Sequence, residues 1–183
     1  MSVSDILRDA ESRMKKSLES ASQDYATLRT GRANPKLVDS LKVDYYGQPT
    51  PLLQLANVTA PEPRLLVITP WDRGAMGPIE KAIINSNLGL NPNNDGQAIR
   101  LLIPALTEER RKDFVKQLAG KSEAARVALR NIRRDANDQF KKDEEITDDE
   151  AKRAEKDSQK LVDRYIAELD TMHKAKEAEL LEV

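Results

Sequence analysis

The chain has no cysteine, a single histidine, and aromatic residues at only 4% of its length. Each shortage closes a class of function. Without cysteine there are no disulfides and no thiolate metal sites, which excludes a small secreted domain held by covalent staples. The lone histidine, His173, has no second imidazole with which to share a metal, and it stands in the polar stretch LDTMHKAKEAE, which reads as a solvated helix position. Long apolar runs are missing too. The longest, LLVI and AIRLLIPAL, fall well short of the roughly 18 residues a membrane span needs, and Arg100 interrupts the second. The opening MSVSDILRDAESRMKK carries acids and lacks the apolar centre of a signal peptide. A soluble cytoplasmic protein with no membrane attachment is the expectation.

What the chain has in quantity is charge, 33% of its 183 residues, and the charge is segregated. From Arg110 to Lys142 there are eleven basic residues against four acidic ones, and from Asp143 onward fourteen acidic against seven basic. Two readings stay open: neighbouring basic and acidic helices neutralise each other in a bundle, or part of the basic helix faces a polyanion.

Helical periodicity frames the chain. Apolar residues recur at Met14, Leu18, Ala21, Tyr25 and Leu28, predicting a first helix over about 4–28 with Ser2 or Ser4 as its cap. A second helix opens at LTEERR, with Thr107 as N-cap and a core face of Phe114, Leu118, Ala125, Ala128, Leu129, Ile132 and Ala136. A third opens at ITDDE, where Thr147 and Glu150 have capping-box spacing, and its stripe runs Ala151, Ala154, Leu161, Tyr165, Leu169, Met172, Ala175. Three narrow stripes of this kind share one seam in an elongated bundle.

Between the first and second helices the pattern changes. Prolines gather, alternation replaces the helical period, and SLKVDYYG, NVTA, RLLVITP and GQAIRLLIP read as strands around one short helix in GPIEKAIINSNLGL. The fold class is therefore α+β: a three-helix bundle, residues 1–30 and 105–183, with an inserted β/α/β domain, residues 31–104. The chain leaves the bundle through Thr30, Gly31 and Pro35 and returns through Pro104, Ala105 and Leu106. These two connections read as a hinge, and an L-shaped molecule with a variable elbow follows.

No catalytic constellation emerges. GKS at 120–122 ends like a phosphate loop, but Val115 stands where its first glycine belongs. NPNNDG resembles a calcium loop until its twelfth position, which is Leu102, so it reads as a turn. The acids of DEEITDDE have structural duty as a helix stop, a cap and first-turn carboxylates. No metal and no cofactor are expected. The basic helix is more specific: Arg126, Arg130, Arg133 and Asn137 fall within about 60° of one another on a helical projection, and Arg134 extends the stripe. Arginine's planar fork suits phosphate and stacks on bases, which points to structured RNA.

The segments LRTGRANP, VDYYGQPTPLLQLA, EKAIINSNLGLNPNNDG, LTEERRKDFVKQ and ARVALRNIRRDAND closely resemble the ribosome recycling factor family, in order and over essentially the whole chain. The resemblance implies a non-enzymatic monomer of roughly transfer-RNA outline. It binds the ribosome after peptide release and, with elongation factor G and GTP, splits it into subunits and frees the mRNA. It also implies that the helical domain lies on large-subunit ribosomal RNA through Arg130 and Arg133, with Arg29 and Arg32 near the hinge as further contacts. One difference from the family form is a shortening of about three residues, close to one helical turn, in QFKKDE, near Asp143. Arg133→Ala is expected to weaken ribosome binding with little change in thermal stability. The alternative is a coiled-coil adaptor whose arginines meet a partner's acidic face.

Overall fold

Ser2 starts the helical part of the protein. In the computed structural model, which describes residues 1–28 and 30–182, four α-helices follow in chain order: α1 (Val3–Ala26), α2 (Met76–Asn85), α3 (Glu108–Lys142) and α4 (Asp148–Leu181). Six strands lie between α1 and α3: β1 (Lys42–Tyr45), β2 (Gln48–Pro51), β3 (Ala56–Glu62), β4 (Leu65–Pro70), β5 (Pro92–Asn94) and β6 (Ile99–Leu102). Contacts group the described chain into a helical unit, Met1–Thr30 with Thr107–Glu182, and a small unit, Gly31–Leu106. Arg29 lies outside the described residues.

In the helical unit the three helix starts are capped by the residues beside them. The Ser2 hydroxyl accepts from the Asp5 amide at 3.1 Å while the Asp5 carboxylate accepts from the Ser2 amide, and Thr147 and Glu150 repeat the same box on α4. Thr107 accepts from the Arg110 amide, with Glu108 and Glu109 in the first turn of α3. Each such cap is worth about 1 kcal/mol. Between α3 and α4 the Asp143 carboxylate accepts from the Glu145 amide, so the acidic run is tied up in turning the chain. At about 1.5 Å per residue, α3 and α4 are each on the order of 50 Å long.

The buried seam is built from Met14, Leu18, Ala21 and Tyr25 of α1, Phe114, Leu118, Leu129, Ile132 and Phe140 of α3, and Val162, Tyr165 and Leu169 of α4. Two expected stripes need correction. On α4, Val162 is buried in place of Leu161, Leu161 and Met172 are half-buried, and Ala175 is exposed. On α3, Ala125 and Ala128 are half-buried, whereas Ser122 and Phe140 are buried. The reason is the same in both helices. A serine occupies one core position, Ser122 on α3 and Ser158 on α4, both 0% exposed. A count of apolar residues skips a serine and resumes in the wrong register.

In the small unit, β3, β4, β6 and β5 form an antiparallel sheet in that order, and β1 and β2 form a separate hairpin. Alternation works as it should on β6, with Ile99 and Leu101 buried and Arg100 and Leu102 exposed. Ile79 and Ile83 of α2 join Val43, Leu66, Ile68, Ile99 and Leu101 in one core, and each large apolar side chain fully buried there contributes roughly 1.5–3 kcal/mol. β2 and β5 are strands that proline content hides from a sequence reading. NPNNDG is therefore half strand, half turn: after β5, Asp95 accepts from the amides of Gln97 and Ala98, and Gly96 sits at φ +90°.

Candidate nucleic-acid interface

The stripe anticipated on α3 divides into two sets. Arg126 turns toward α4, donating to Asp170 at 2.9 Å, and also meets Glu123 at 3.3 Å. The Asp170 hydrogen bond holds its guanidinium above its ordinary pKa, and its side chain is only 25% exposed. Arg133 donates to Gln159 of α4 and buries its Nε without a partner among the described residues. Asn137 accepts from the buried hydroxyl of Ser158 at 2.7 Å. Lys141 pairs with Glu155 at 3.4 Å, one further level along the same antiparallel seam. These side chains fasten α3 to α4, so the mutual-neutralisation reading holds for Arg126 and Lys141.

Arg130 and Arg134 make up the second set. Arg130 is half exposed and has one long ion pair, 3.6 Å, to Glu123 of its own helix. Arg134 is exposed and makes no hydrogen bond or ion pair with the described residues. Two guanidinia one helical turn apart and open to solvent can each offer a planar, charge-assisted fork to a phosphate. Arg32 is exposed in the small unit.

The expectation of a solvated His173 is overturned. Its side chain is 19% exposed, its Nδ1 lies 2.5 Å from the Ser122 hydroxyl, and its Nε2 lies 3.2 Å from Glu177. The Ser122 hydroxyl is bonded in turn to the Tyr25 phenol, so one hydrogen-bond chain crosses α1, α3 and α4. A buried serine between an aromatic hydroxyl and an imidazole is a polar lock, and the only trace of it in the sequence is a serine at core spacing. Among the described residues no group of three or more His, Cys, Asp or Glu side chains is arranged to hold a metal, and no helix is long and apolar enough to cross a membrane.

At the other end of the seam, Glu11 accepts from the Tyr165 hydroxyl at 2.9 Å and from Arg164 at 2.7 Å. The Tyr165 hydrogen bond, aided by Arg164, lowers the Glu11 pKa. A carboxylate with a depressed folded-state pKa contributes stability above the unfolded value and loses it as pH falls through the folded one. Asp5 and Asp143 are shifted the same way, by hydrogen bonds from Ser2 and from the Glu145 amide respectively. Thermal melts are therefore expected to be flat near neutrality and to fall steeply below about pH 4, with a shallower fall in Glu11→Gln. An identical slope in that variant would remove Glu11 from the acid response.

The anticipated connections run without regular structure, except that Pro35 opens a short 3-10 helix, Pro35–Val38. Gly31 has no left-handed backbone, and a β-carbon on it would meet the Leu106 amide nitrogen at 3.7 Å, an ordinary contact. Nothing in the backbone or the surroundings of Gly31 therefore demands glycine. Gly31→Ala is expected to shift the melting temperature by no more than about 2 °C and to leave activity intact; a large loss in either would show a need for glycine here. Ala33 donates to the Pro63 carbonyl at 2.6 Å and Ile103 to the Arg64 carbonyl at 2.8 Å, so both connections are pinned to the same β3–β4 turn. Pro104 and Ala105 are exposed, and Thr30, Pro35 and Leu106 are half-buried.

The family model for ribosome recycling factor matches residues 21–181. The chain belongs to the ribosome recycling factor family. Its similarity to family members runs from end to end: 55% identity with the ribosome-recycling factor of Syntrophomonas wolfei, over 99% of this chain and all of that one. Identity with the factor of Carboxydothermus hydrogenoformans is 53%, with the same coverage. Among solved structures, the solution structure of a ribosome recycling factor superposes with a TM-score of 0.79 at 44% identity, covering 99% of this chain and 98% of that one. The Thermus thermophilus ribosome recycling factor, described with Escherichia coli elongation factor G on the post-termination complex, superposes at 0.66 with 50% identity over both full chains. The recycling-factor fold is thus present whole, an α+β chain with a small unit inserted in a helical one.

Proposed function

We propose that the chain recycles ribosomes: it binds the post-termination ribosome and, with elongation factor G and GTP, promotes its dissociation into subunits and the release of mRNA. The observation that carries this reading is the match to ribosome recycling factors over 99% of the chain. The chain performs no bond chemistry of its own. It acts in the cytoplasm as a monomer, and its effect is mechanical.

In this reading the helical unit is the ribosomal-RNA-binding domain. Arg130 and Arg134 take large-subunit phosphates, with Arg32 and Arg29 as further contacts, while Arg126, Arg133 and Asn137 hold α3 against α4 and keep those two guanidinia in place. The connections at residues 30–35 and 104–106 form a hinge, which suits their irregular backbone and their shared anchorage on the β3–β4 turn. Elongation factor G pushes the small unit, and the long helices carry the load to RNA.

Light scattering on purified post-termination ribosomes tests this directly. A drop in scattering that requires the chain, elongation factor G and GTP together is the expected result. Splitting that proceeds equally well without the chain would end the recycling reading.

A further inference from the structure

We propose that the free edge of β1 takes up an extended segment of a partner protein, added as an antiparallel strand and carrying a basic then an acidic side chain two residues apart. This goes beyond ribosome recycling and rests on the small unit alone.

The β1–β2 hairpin has one closed edge and one open one. Pro49 and Pro51 of β2 stand opposite Asp44 and Lys42. Proline has no N–H, so those two pairs cannot be the hydrogen-bonded ones, and the ladder runs through Val43 with Thr50 and Tyr45 with Gln48. The outer edge of β2 therefore shows two prolines where donors would be, which blocks pairing with another strand. By the same alternation, the N–H and C=O groups of Lys42 and Asp44 point away from β2. They find no backbone partner among the described residues. Unspent donors and acceptors at i and i+2 are what an incoming strand binds.

The space beside this edge is available. A groove of about 650 Å³ has Lys42 and Asp44 on one wall and Gly77, Pro78, Lys81 and Ala82 of α2 on the other. A β-carbon built on Gly77 would meet nothing within 4 Å. Lys42, Asp44 and Lys81 form no ion pair within the described chain.

Charge sets the order of the partner's residues. The Lys42 and Asp44 side chains share one face of β1. In an antiparallel strand the residue opposite Asp44 comes first and the residue opposite Lys42 follows two later. Opposite charges directly across a ladder stabilise it and like charges do the reverse, so the fitting segment reads basic, any residue, acidic.

The test uses the full chain, 15N-labelled, titrated with the capped pentapeptide Thr-Lys-Val-Glu-Thr and its charge-reversed partner Thr-Glu-Val-Lys-Thr. The first is expected to shift the amides of Lys42, Asp44 and the groove wall of α2 saturably, and to bind about fivefold more tightly than the second. The double variant Lys42→Glu/Asp44→Lys, surface changes that leave the core intact, is expected to invert that preference. Asp44→Pro, which removes an outward-facing donor together with the carboxylate that selects the peptide's basic residue, is expected to weaken the first peptide about tenfold while the amides of β2 stay in place. No saturable shift, or equal affinity for both peptides in both backgrounds, would overturn the proposal. So would a concentration-dependent shift of the same amides without peptide: Lys42-Val43-Asp44 itself reads basic, any, acidic, and the occupant would then be a second copy.

Discussion

With Arg130 and Arg134 both changed to alanine, ribosome affinity at moderate salt falls by about a hundredfold while the melting temperature moves by no more than about 2 °C. The two arginines reach solvent from a helix whose packing they do not share. The single 3.6 Å contact of Arg130 is a surface pair of little worth to stability. In the proposed contact with RNA each guanidinium would form charge-assisted bonds to phosphate and release counterions, so the double change is also expected to flatten the slope of log affinity against log salt by about 1.4, about 0.7 per contact. Arg126→Ala does the reverse: it strips the cross-link to Asp170, lowers stability, and leaves that slope unchanged. Arg133→Ala falls between, because a side chain bonded to Gln159 with a buried Nε cannot be removed at no cost to the fold. Equal salt slopes for wild type and the Arg130/Arg134 variant would remove both residues from the RNA contact.

The largest expected loss of stability comes from one hydroxyl. Ser122→Ala lowers unfolding free energy by about 2–4 kcal/mol, because it strands two groups at once. Tyr25 is 4% exposed, and its phenol loses its partner inside the bundle; His173 loses the hydroxyl at its Nδ1. For a chain of this size that corresponds to a fall of about 5–12 °C in melting temperature. Tyr25→Phe added to Ser122→Ala restores part of the loss, since the stranded donor is removed, and the resulting non-additivity distinguishes a hydrogen-bond chain from simple loss of volume. Strictly additive changes would mean that the three side chains do not act as one lock.

What could be read from the residues followed from how local each determinant is. Ser2 with Asp5 and Thr147 with Glu150 announce helix starts because a cap and its partner lie three residues apart. Phe114, Leu118, Leu129 and Ile132 announce a core face because periodicity is a property of one helix. Ser122 and Ser158 escaped because a serine is uninformative until the phenol, imidazole or amide it serves is known, and those partners lie 97, 51 and 21 residues away. The same ignorance of neighbours made Arg126, Arg133 and Asn137 look free: a helical projection places them on one stripe and does not say that α4 covers its near side. β2 and β5 were hidden by proline, which lowers strand propensity in general yet is at home on an edge that pairs on one side only.

The cross-links between α3 and α4 also decide how the bundle fails under load. Arg126 with Asp170, Arg133 with Gln159, Asn137 with Ser158 and Lys141 with Glu155 lie at successive levels of two antiparallel rods. A pull along the rods shears every rung together, so the strain is shared and the pair yields only when several give way at once. A pull that peels α4 from α3 at one end opens the rungs singly, like a zipper. The α3–α4 pair is thus stiff to load along its length and weak to prying from one end, an anisotropy that single-molecule pulling in the two geometries would register as two distinct rupture forces.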